Sequence, residues 1–502
     1  MEDGLFPLLA KFRTSRFAYV YDGNTGHIAR VDEALFEELQ ERTPFEPITP
    51  AAAAGPPSSG SVINERQARI KAMGLFRPVC LRNALVPPDV VKQNIAQLIG
   101  QFTKMTLEVT ERCNLRCRYC PFTVGGEMRP HANSDMGWEV ARRAIDYFLE
   151  HLRPVSSDGG ARPTLGFYGG EPFLAFPLVR QSIKYISSRT PQVEFACTTN
   201  GTLLNGEIAD CCAEHGIALL ISLDGPREIH DRNRCSADGH GSFELVWSNV
   251  RRLKERYNDY YRKSVRFEAT ISAHADFGNI TTFFLSEPEL FGPGQVKINP
   301  ATRFEIYTVD VANAYGKCVQ RYEDKLLNGT MTDDAESQVL QQLCGKAHVV
   351  LRHRRRDIRG ITRPGCLTGP CFPGFGRIFV STEGRYYLCE RINRRIAFGS
   401  VEHGVDHERI TEFYSLYWKH FQEACSHCWA VGLCGLCYVQ FARGAEDCRK
   451  VCCRAIEAWR QHLIRYCSIL ECNPHAFDHL KDLHITGTPV PDLGRLTTVA
   501  SS

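Results

Sequence analysis

Six short apolar runs recur between residues 104 and 300, at 105–110, 164–168, 193–198, 218–223, 265–272 and 295–299. Stretches of helical spacing fall between them, around 137–151, 175–187, 205–215, 243–257 and 278–286. Strands that alternate with helices must pair in parallel through right-handed crossovers, which leaves few architectures open. Largely continuous apolar runs suit a sheet covered by helices. The economical reading is an α/β fold, a partial (β/α)6 barrel of the TIM type. Periodicity alone leaves an open doubly wound sheet as the alternative.

The residues just after each run narrow the choice. Cys113, Cys117 and Cys120 follow the first, and Gly169-Gly170-Glu171-Pro172 follows the second. Thr199-Asn200-Gly201 follows the third and Asp224-Gly225-Pro226 the fourth. Barrels of this kind keep their active sites at that end of the strands.

The cysteines set the chemistry. The 502-residue chain has 22 of them, with 57 acidic against 60 basic residues and a net charge of +3. Near-balanced charge implies no nucleic-acid surface. The sequence has no apolar run of membrane-spanning length, and its acidic opening does not read as a signal peptide. The expectation is a cytoplasmic protein, where clustered cysteines bind metal or catalyse rather than form disulfides. The triple Cys113-x3-Cys117-x2-Cys120 offers three soft thiolates, suited to an iron–sulfur cluster or zinc. Three ligands on a [4Fe–4S] cluster leave one iron open, just as an open position marks a catalytic zinc.

On these residues the chain resembles radical S-adenosylmethionine (radical SAM) enzymes. The resemblance assigns Cys113, Cys117 and Cys120 to the catalytic cluster and Tyr119 to the aromatic position before its last ligand. Gly169, Gly170, Glu171 and Pro172 match the turn that binds the amino group of S-adenosylmethionine. Two glycines let a backbone come close, and a carboxylate complements a cation. Thr199, Asn200, Ser222 and Asp224 fall at positions assigned to the cofactor's ribose and carboxylate surroundings.

Ten further cysteines lie between 366 and 453. Their spacing, Cys366-x4-Cys371, then Cys389, then Cys425-x2-Cys428-x5-Cys434-x2-Cys437, resembles the SPASM extension, which holds two auxiliary [4Fe–4S] clusters. The resemblance puts Cys366, Cys371, Cys389 and Cys437 on the first of these. It puts Cys425, Cys428, Cys434 and a late cysteine on the second. Cys453 is taken as the late ligand because a helix starts right after it, with Cys448 and Cys452 as alternatives. The family usually has three residues, not two, before the cysteine at 437. Four-thiolate zinc sites are the competing reading. Glu390, next to Cys389, is the candidate general base; a surface carboxylate paired with Arg385 or Arg391 is the bland alternative.

The N-terminal segment carries a hairpin signal around Asp22-Gly23-Asn24, with Asp32 placed to cap a helix through 39. A Pro/Ala/Gly/Ser linker spans 43–61, and helical stretches follow near 63–73 and 88–99. The divisions expected are a recognition module at 1–85, the barrel at 100–310, a connector at 311–360, the cysteine-rich domain at 361–475 and a tail at 476–502. The finer resemblance is to maturases of Cys-rich ribosomal peptides, whose winged-helix-like N-terminal module binds the precursor's leader as an added strand. It rests on the hairpin, on the stretch 166–172, and on Ile221-Ser-Leu-Asp-Gly-Pro226 with His230-Asp-Arg-Asn-Arg234. It implies three [4Fe–4S] clusters, S-adenosylmethionine, a precursor peptide, and an electron donor such as flavodoxin or ferredoxin. The implied product is a thioether cross-link. Carbon–carbon or ether cross-linking, formylglycine formation on sulfatases, and a non-catalytic electron carrier or peptide-binding scaffold are the alternatives.

Overall fold

The computed structural model describes residues 7–41, 74–76, 87–99, 102–120, 122, 131–152, 162–271, 277–292, 294–300, 309–332, 334–353, 376–391, 396–435, 441 and 445–481. The linker 43–61, the helical stretch 63–73, and Cys366, Cys371 and Cys437 lie outside them.

The chain begins with an antiparallel sheet, β1 (Leu9–Arg13), β2 (Ala18–Asp22) and β3 (Ile28–Val31), followed by α1 (Glu33–Glu38). The Asp22 carboxylate turns the hairpin by accepting from the amide of Asn24 at 2.9 Å. Asp32 caps α1 as anticipated, accepting from the Leu35 amide. Leu9, Ala18, Val20, Val31, Leu35 and Phe36 form a small core between this sheet and its helix. Strand alternation sends Ala10, Phe12 and Tyr21 to the other face and into the main core. The first strand carried no sequence signal.

After α2 (Pro88–Ile99) come the alternating elements. They are β4 (Lys104–Thr110), α3 (Trp138–Glu150), β5 (Thr164–Gly169), α4 (Phe176–Ser187), β6 (Glu194–Thr199) and α5 (Gly206–Glu214). Next are β7 (Ala218–Ser222), α6 (Arg227–Asn233), α7 (Phe243–Arg256), α8 (Asn258–Ser264), β8 (Val265–Ile271), α9 (Phe277–Ser286) and β9 (Val296–Pro300). Each strand from β4 to β9 pairs in parallel with the next in sequence. A strictly sequential order has no switch point, so the barrel-type reading holds and the doubly wound sheet falls. Met105, Leu107 and Val109 of β4 are buried against the helices. The alternate set Thr106, Glu108 and Thr110 faces the other way. A Cβ on Gly166, across from Thr106, would sit 3.2 Å from the Thr106 hydroxyl.

The remaining elements cover both edges of this sheet. They are α10 (Val309–Leu327), α11 (Ala335–Cys344), α12 (Lys346–His353), β10 (Arg377–Val380), β11 (Tyr386–Tyr387), α13 (His407–Ser426) and α14 (Ala445–Cys472). β10 pairs in parallel with β4, and β11 returns antiparallel beside it, so the cysteine-rich part starts as an extension of the barrel sheet.

The N-terminal sheet packs on the C-terminal part. Arg460 of α14 donates to the Lys11 carbonyl at 2.7 Å and pairs with Glu41. Tyr21 meets the Trp429 ring edge-on at 5.9 Å. A Cβ on Gly23 would lie 2.3 Å from the Trp429 carbonyl oxygen, so only glycine admits this approach.

Candidate active site

The loop after β4 carries Cys113, Cys117 and Cys120, each half-buried. Three neighbouring strand ends and the segment at the end of α6 hold it. From β5, Gly170 and Glu171 donate their amides to the carbonyls of Thr110 at 2.9 Å and Arg112 at 2.8 Å. A Cβ on Gly169 would lie 2.1 Å from Thr110 O, and one on Gly170 2.0 Å from Arg112 O. The two glycines are therefore required by the cluster loop's own backbone. From β6, Asn200 donates to Asn114 Oδ1 at 2.8 Å and lies 4.0 Å from Cys113 Sγ. After β7, Asp224 accepts from the Tyr119 hydroxyl at 2.5 Å. The segment beyond α6 completes the clasp. Arg118 N donates to Asn233 O at 2.9 Å and Arg116 N to Cys235 O at 2.6 Å.

Burial raises the Cys113 thiol to about 11 and the Cys117 thiol to about 12; Cys113 also feels Cys120, and Cys117 feels both Cys113 and Cys120. Buried thiols shifted in this way hold a thiolate charge only beside a strong cation, which iron supplies. Among the described residues, no three His, Cys, Asp or Glu side chains close on a point that would hold a metal ion. The donor set fits a cluster shared by three thiolates, with Asn200 and His131 next to it. His131 Nε2 lies 3.8 Å from Cys120 Sγ.

Glu171 is held by protein partners at the ends of two strands. It is fully buried, and its oxygens accept from Thr199 Oγ1 at 2.8 Å, Asn200 N at 2.7 Å and Phe173 N at 3.2 Å. Burial lifts its carboxyl to about 7 even so. It caps the short 3-10 turn Pro172–Ala175, with Pro172 at the first position, and ties β5 to β6. Thr199 is committed to Glu171, and Asn200 to Asn114 and Thr202. Asp224 is held by Tyr119, by the Thr270 amide at 3.0 Å and by Arg234 Nε at 3.0 Å. Ser222 sits half-buried at the end of β7, beside Glu268 of β8 in register.

Arg234 closes the stretch His230-Asp-Arg-Asn-Arg234 and belongs to the site. A cation ten residues after Asp224, near a run of thiols, was the available signal. Tyr168 of β5, the register neighbour of Glu108, also belongs to the site. The charges its phenol feels are Glu390, Cys120, Arg391 and Glu268, which places it between the cluster loop and the cysteine-rich part. Glu390 is half-buried, while Arg385 pairs instead with Glu383 at 3.2 Å.

In the second cysteine set, Cys425 ends α13 and feels Cys428, Cys434 and Cys452. Burial pushes Cys425 well up and Cys428 to about 12, while the amides of Ala430 and Val431 point at the Cys428 sulfur. Cys452 turns toward this group and Cys453 is exposed. Consecutive helical residues differ by about 100° in direction, so only one of the two faces inward. Cys389 is half-buried beside β11.

A parallel barrel with three thiols at its strand ends, clasped by a glycine pair, is the arrangement of a domain that holds a cluster and a cofactor at one mouth. Residues 107–265 match the family model of the radical SAM superfamily, and the chain contains a radical SAM domain. Over 171 residues it is 29% identical to a cysteine-type anaerobic sulfatase-maturating enzyme of Clostridium novyi, covering 33% of this chain and 44% of that protein. Over 236 residues it is 23% identical to the radical SAM cyclopropyl synthase TigE of Paramaledivibacter caminithermalis, covering 46% and 48%. The chain thus spans less than half the length of these two relatives. A solved structure of anSMEcpe with bound AdoMet and Cp18Cys peptide is 16% identical, with a TM-score of 0.49 over 76% of this chain and all of that one. Among the described residues no helix is long and apolar enough to cross a membrane.

Proposed function

We propose that the chain is a peptide maturase that cross-links a ribosomally made precursor, forming a thioether between a cysteine sulfur and a carbon of the same peptide. Cys113, Cys117 and Cys120 would hold the catalytic [4Fe–4S] cluster, with S-adenosylmethionine against the turn at Gly169–Pro172. Bound there, the two supply a reducing electron and a hydrogen-abstracting 5′-deoxyadenosyl radical. The chain's own residues orient the reactants and keep water out, which the buried clasp of Thr199, Asn200, Asp224 and Tyr119 is built to do. The Tyr168 phenol feels both Cys120 and Glu390, and Glu390 accepts the thiol proton. Ring closure removes two hydrogens from the peptide, one as an atom and one as a proton, with one surplus electron. The auxiliary cysteines would hold the iron–sulfur clusters that accept that electron. They are Cys366, Cys371, Cys389 and Cys437 in one set, and Cys425, Cys428 and Cys434 with Cys452 in the other.

The observation that carries this reading is the N-terminal sheet docked on the loop of the second cysteine set, through Gly23, Tyr21 and Trp429. A leader bound to that sheet would emerge beside the redox centres. The sulfatase-maturating relative favours a second reading, formylglycine formation, in which this sheet has no part. The test uses anaerobically reconstituted protein with a flavodoxin and the Cys-containing peptides encoded beside its gene. The expected result is about 12 iron atoms, 5′-deoxyadenosine, and a peptide lighter by two hydrogens that resists thiol alkylation. A sulfatase peptide processed instead, with the encoded peptides left intact, establishes the second reading.

A further inference from the structure

Arg234 is nearly fully buried, and its partner Asp224 is completely so. Buried ion pairs are uncommon unless something needs them, because burial costs each charge its hydration. This one is built with care. Asp224 accepts from Arg234 Nε at 3.0 Å, from the Thr270 amide at 3.0 Å and from the Tyr119 hydroxyl at 2.5 Å. The guanidinium lies 5.3 Å from the Tyr119 ring centre. Its backbone is fixed from below, where Ser242 Oγ donates to Arg234 O at 2.7 Å and contacts His230 Nε2 at 3.0 Å.

The placement concerns the cluster loop. Residues 233–236 run beside 115–118. Asn233 and Cys235, on either side of Arg234, accept from the amides of Arg118 and Arg116, and Leu115 bridges Ser236. The cation is thus clamped beside the loop that carries the three thiols and is poorly screened by water. The Asp224 anion is covered by three donors, while the guanidinium lies over the ring of Tyr119, between Cys117 and Cys120 in the loop. To the cluster loop, the pair therefore presents its cation.

We propose that Arg234 is a positioning residue for the cluster, and that its guanidinium, braced by Asp224 and Tyr119, eases the entry of an electron into the cluster held by Cys113, Cys117 and Cys120. Net charge near an iron–sulfur cluster is one of the levers on its reduction potential. The inference rests on the radical SAM reading of the loop and on nothing about the peptide.

The experiment is an anaerobic titration of the full-length reconstituted protein with dithionite. It follows the EPR signal that changes when S-adenosylmethionine is added, which marks the cluster with the open iron. Arg234→Gln should make reduction harder by at least tenfold, a downward shift of about 59 mV for a one-electron couple. Asp224→Asn, which removes the anion, should shift it the opposite way. Arg234→Lys keeps the charge and should stay within threefold of the wild type. A merely structural brace would not give opposite signs for two partners of one ion pair. Should Arg234→Gln not fold, Asp224→Asn and Arg234→Lys still decide the matter. Unchanged potentials in the folded variants overturn the proposal, as do shifts of the same sign, or weaker S-adenosylmethionine binding with no change in potential. A wild-type protein with no reducible cluster at this loop overturns the radical SAM reading itself.

Discussion

Arg460→Ala should release the N-terminal sheet without unfolding the barrel. Arg460 makes two hydrogen bonds to the Glu41 carboxylate, one of them at 3.0 Å, and a third to the Lys11 carbonyl at 2.7 Å. Its guanidinium also lies 5.6 Å from the Trp429 ring centre. The two side chains are 23% and 17% exposed, so solvent screens the pair only in part. A hydrogen bond to a charged group contributes about 1.5–3 kcal/mol net. Glu41 keeps one partner in the variant, since it still accepts from the Lys11 amide at 2.8 Å. The loss is therefore about 2–3 kcal/mol rather than the sum over all contacts. At about 1.4 kcal/mol per tenfold, local opening of the sheet becomes about 30- to 150-fold more frequent. Amide exchange should show this as lost protection in Leu9–Arg13 and Ala18–Asp22, with Glu194–Thr199 unchanged. A cycle with Glu41→Ala separates the ion pair from the bond to Lys11. Unchanged protection in β1, or an equal loss in β6, would show that Arg460 does not hold this interface.

Three further outcomes follow from the same geometry. Glu171 has a folded value of about 7 against 4.5 unfolded, because burial outweighs its three hydrogen bonds. Its contribution is fully present below about 4.5 and lost as pH rises through about 7, worth about 3 kcal/mol at most. Denaturant titrations of metal-free protein at pH 5 and pH 8 should differ less for Glu171→Gln than for the wild type, and an equal difference would refute the burial argument. Gly170→Ala puts a methyl group 2.0 Å from Arg112 O, so the loop must move; iron at Cys113, Cys117 and Cys120 should be lost, as measured by iron content and the S-adenosylmethionine-sensitive EPR signal. Cys452→Ala should lower total iron by about four atoms while Cys453→Ala leaves it unchanged, and the reverse result would place the exposed cysteine on the second auxiliary cluster.

The barrel was legible because its strands are continuous apolar runs between amphipathic helices, and that pattern depends only on local burial. All six strands from β4 to β9 fall within a residue or so of the expected ranges. β1 was not legible, since Leu-Ala-Lys-Phe-Arg is a strand only where β2 and α14 lie against it. The same holds for β10, whose parallel partner β4 is 273 residues away at the Gly376–Thr103 contact. The cysteine triple was readable from spacing, but the protein partners of Glu171 were not, because Thr199 and Asn200 arrive from another strand. Between Cys452 and Cys453 the missing quantity was helix phase, which spacing to a distant cysteine does not report.

The cluster loop owes its shape to groups that meet only when the sheet is complete. Gly170 and Glu171 come from β5, Asn200 from β6, Asp224 from β7, and Arg234 from beyond α6. No two of these are neighbours in sequence except the first pair, and together they reach Thr110, Arg112, Asn114 and Tyr119. The loop therefore has no preformed geometry in the unfolded chain, and metal binding there draws on the folding energy of the barrel. The glycine pair shows the same dependence. It is required because β5 crosses the β4 loop within van der Waals contact, so any side chain there would collide with the loop backbone. A motif usually read as a cofactor contact is here first a joint between two strands.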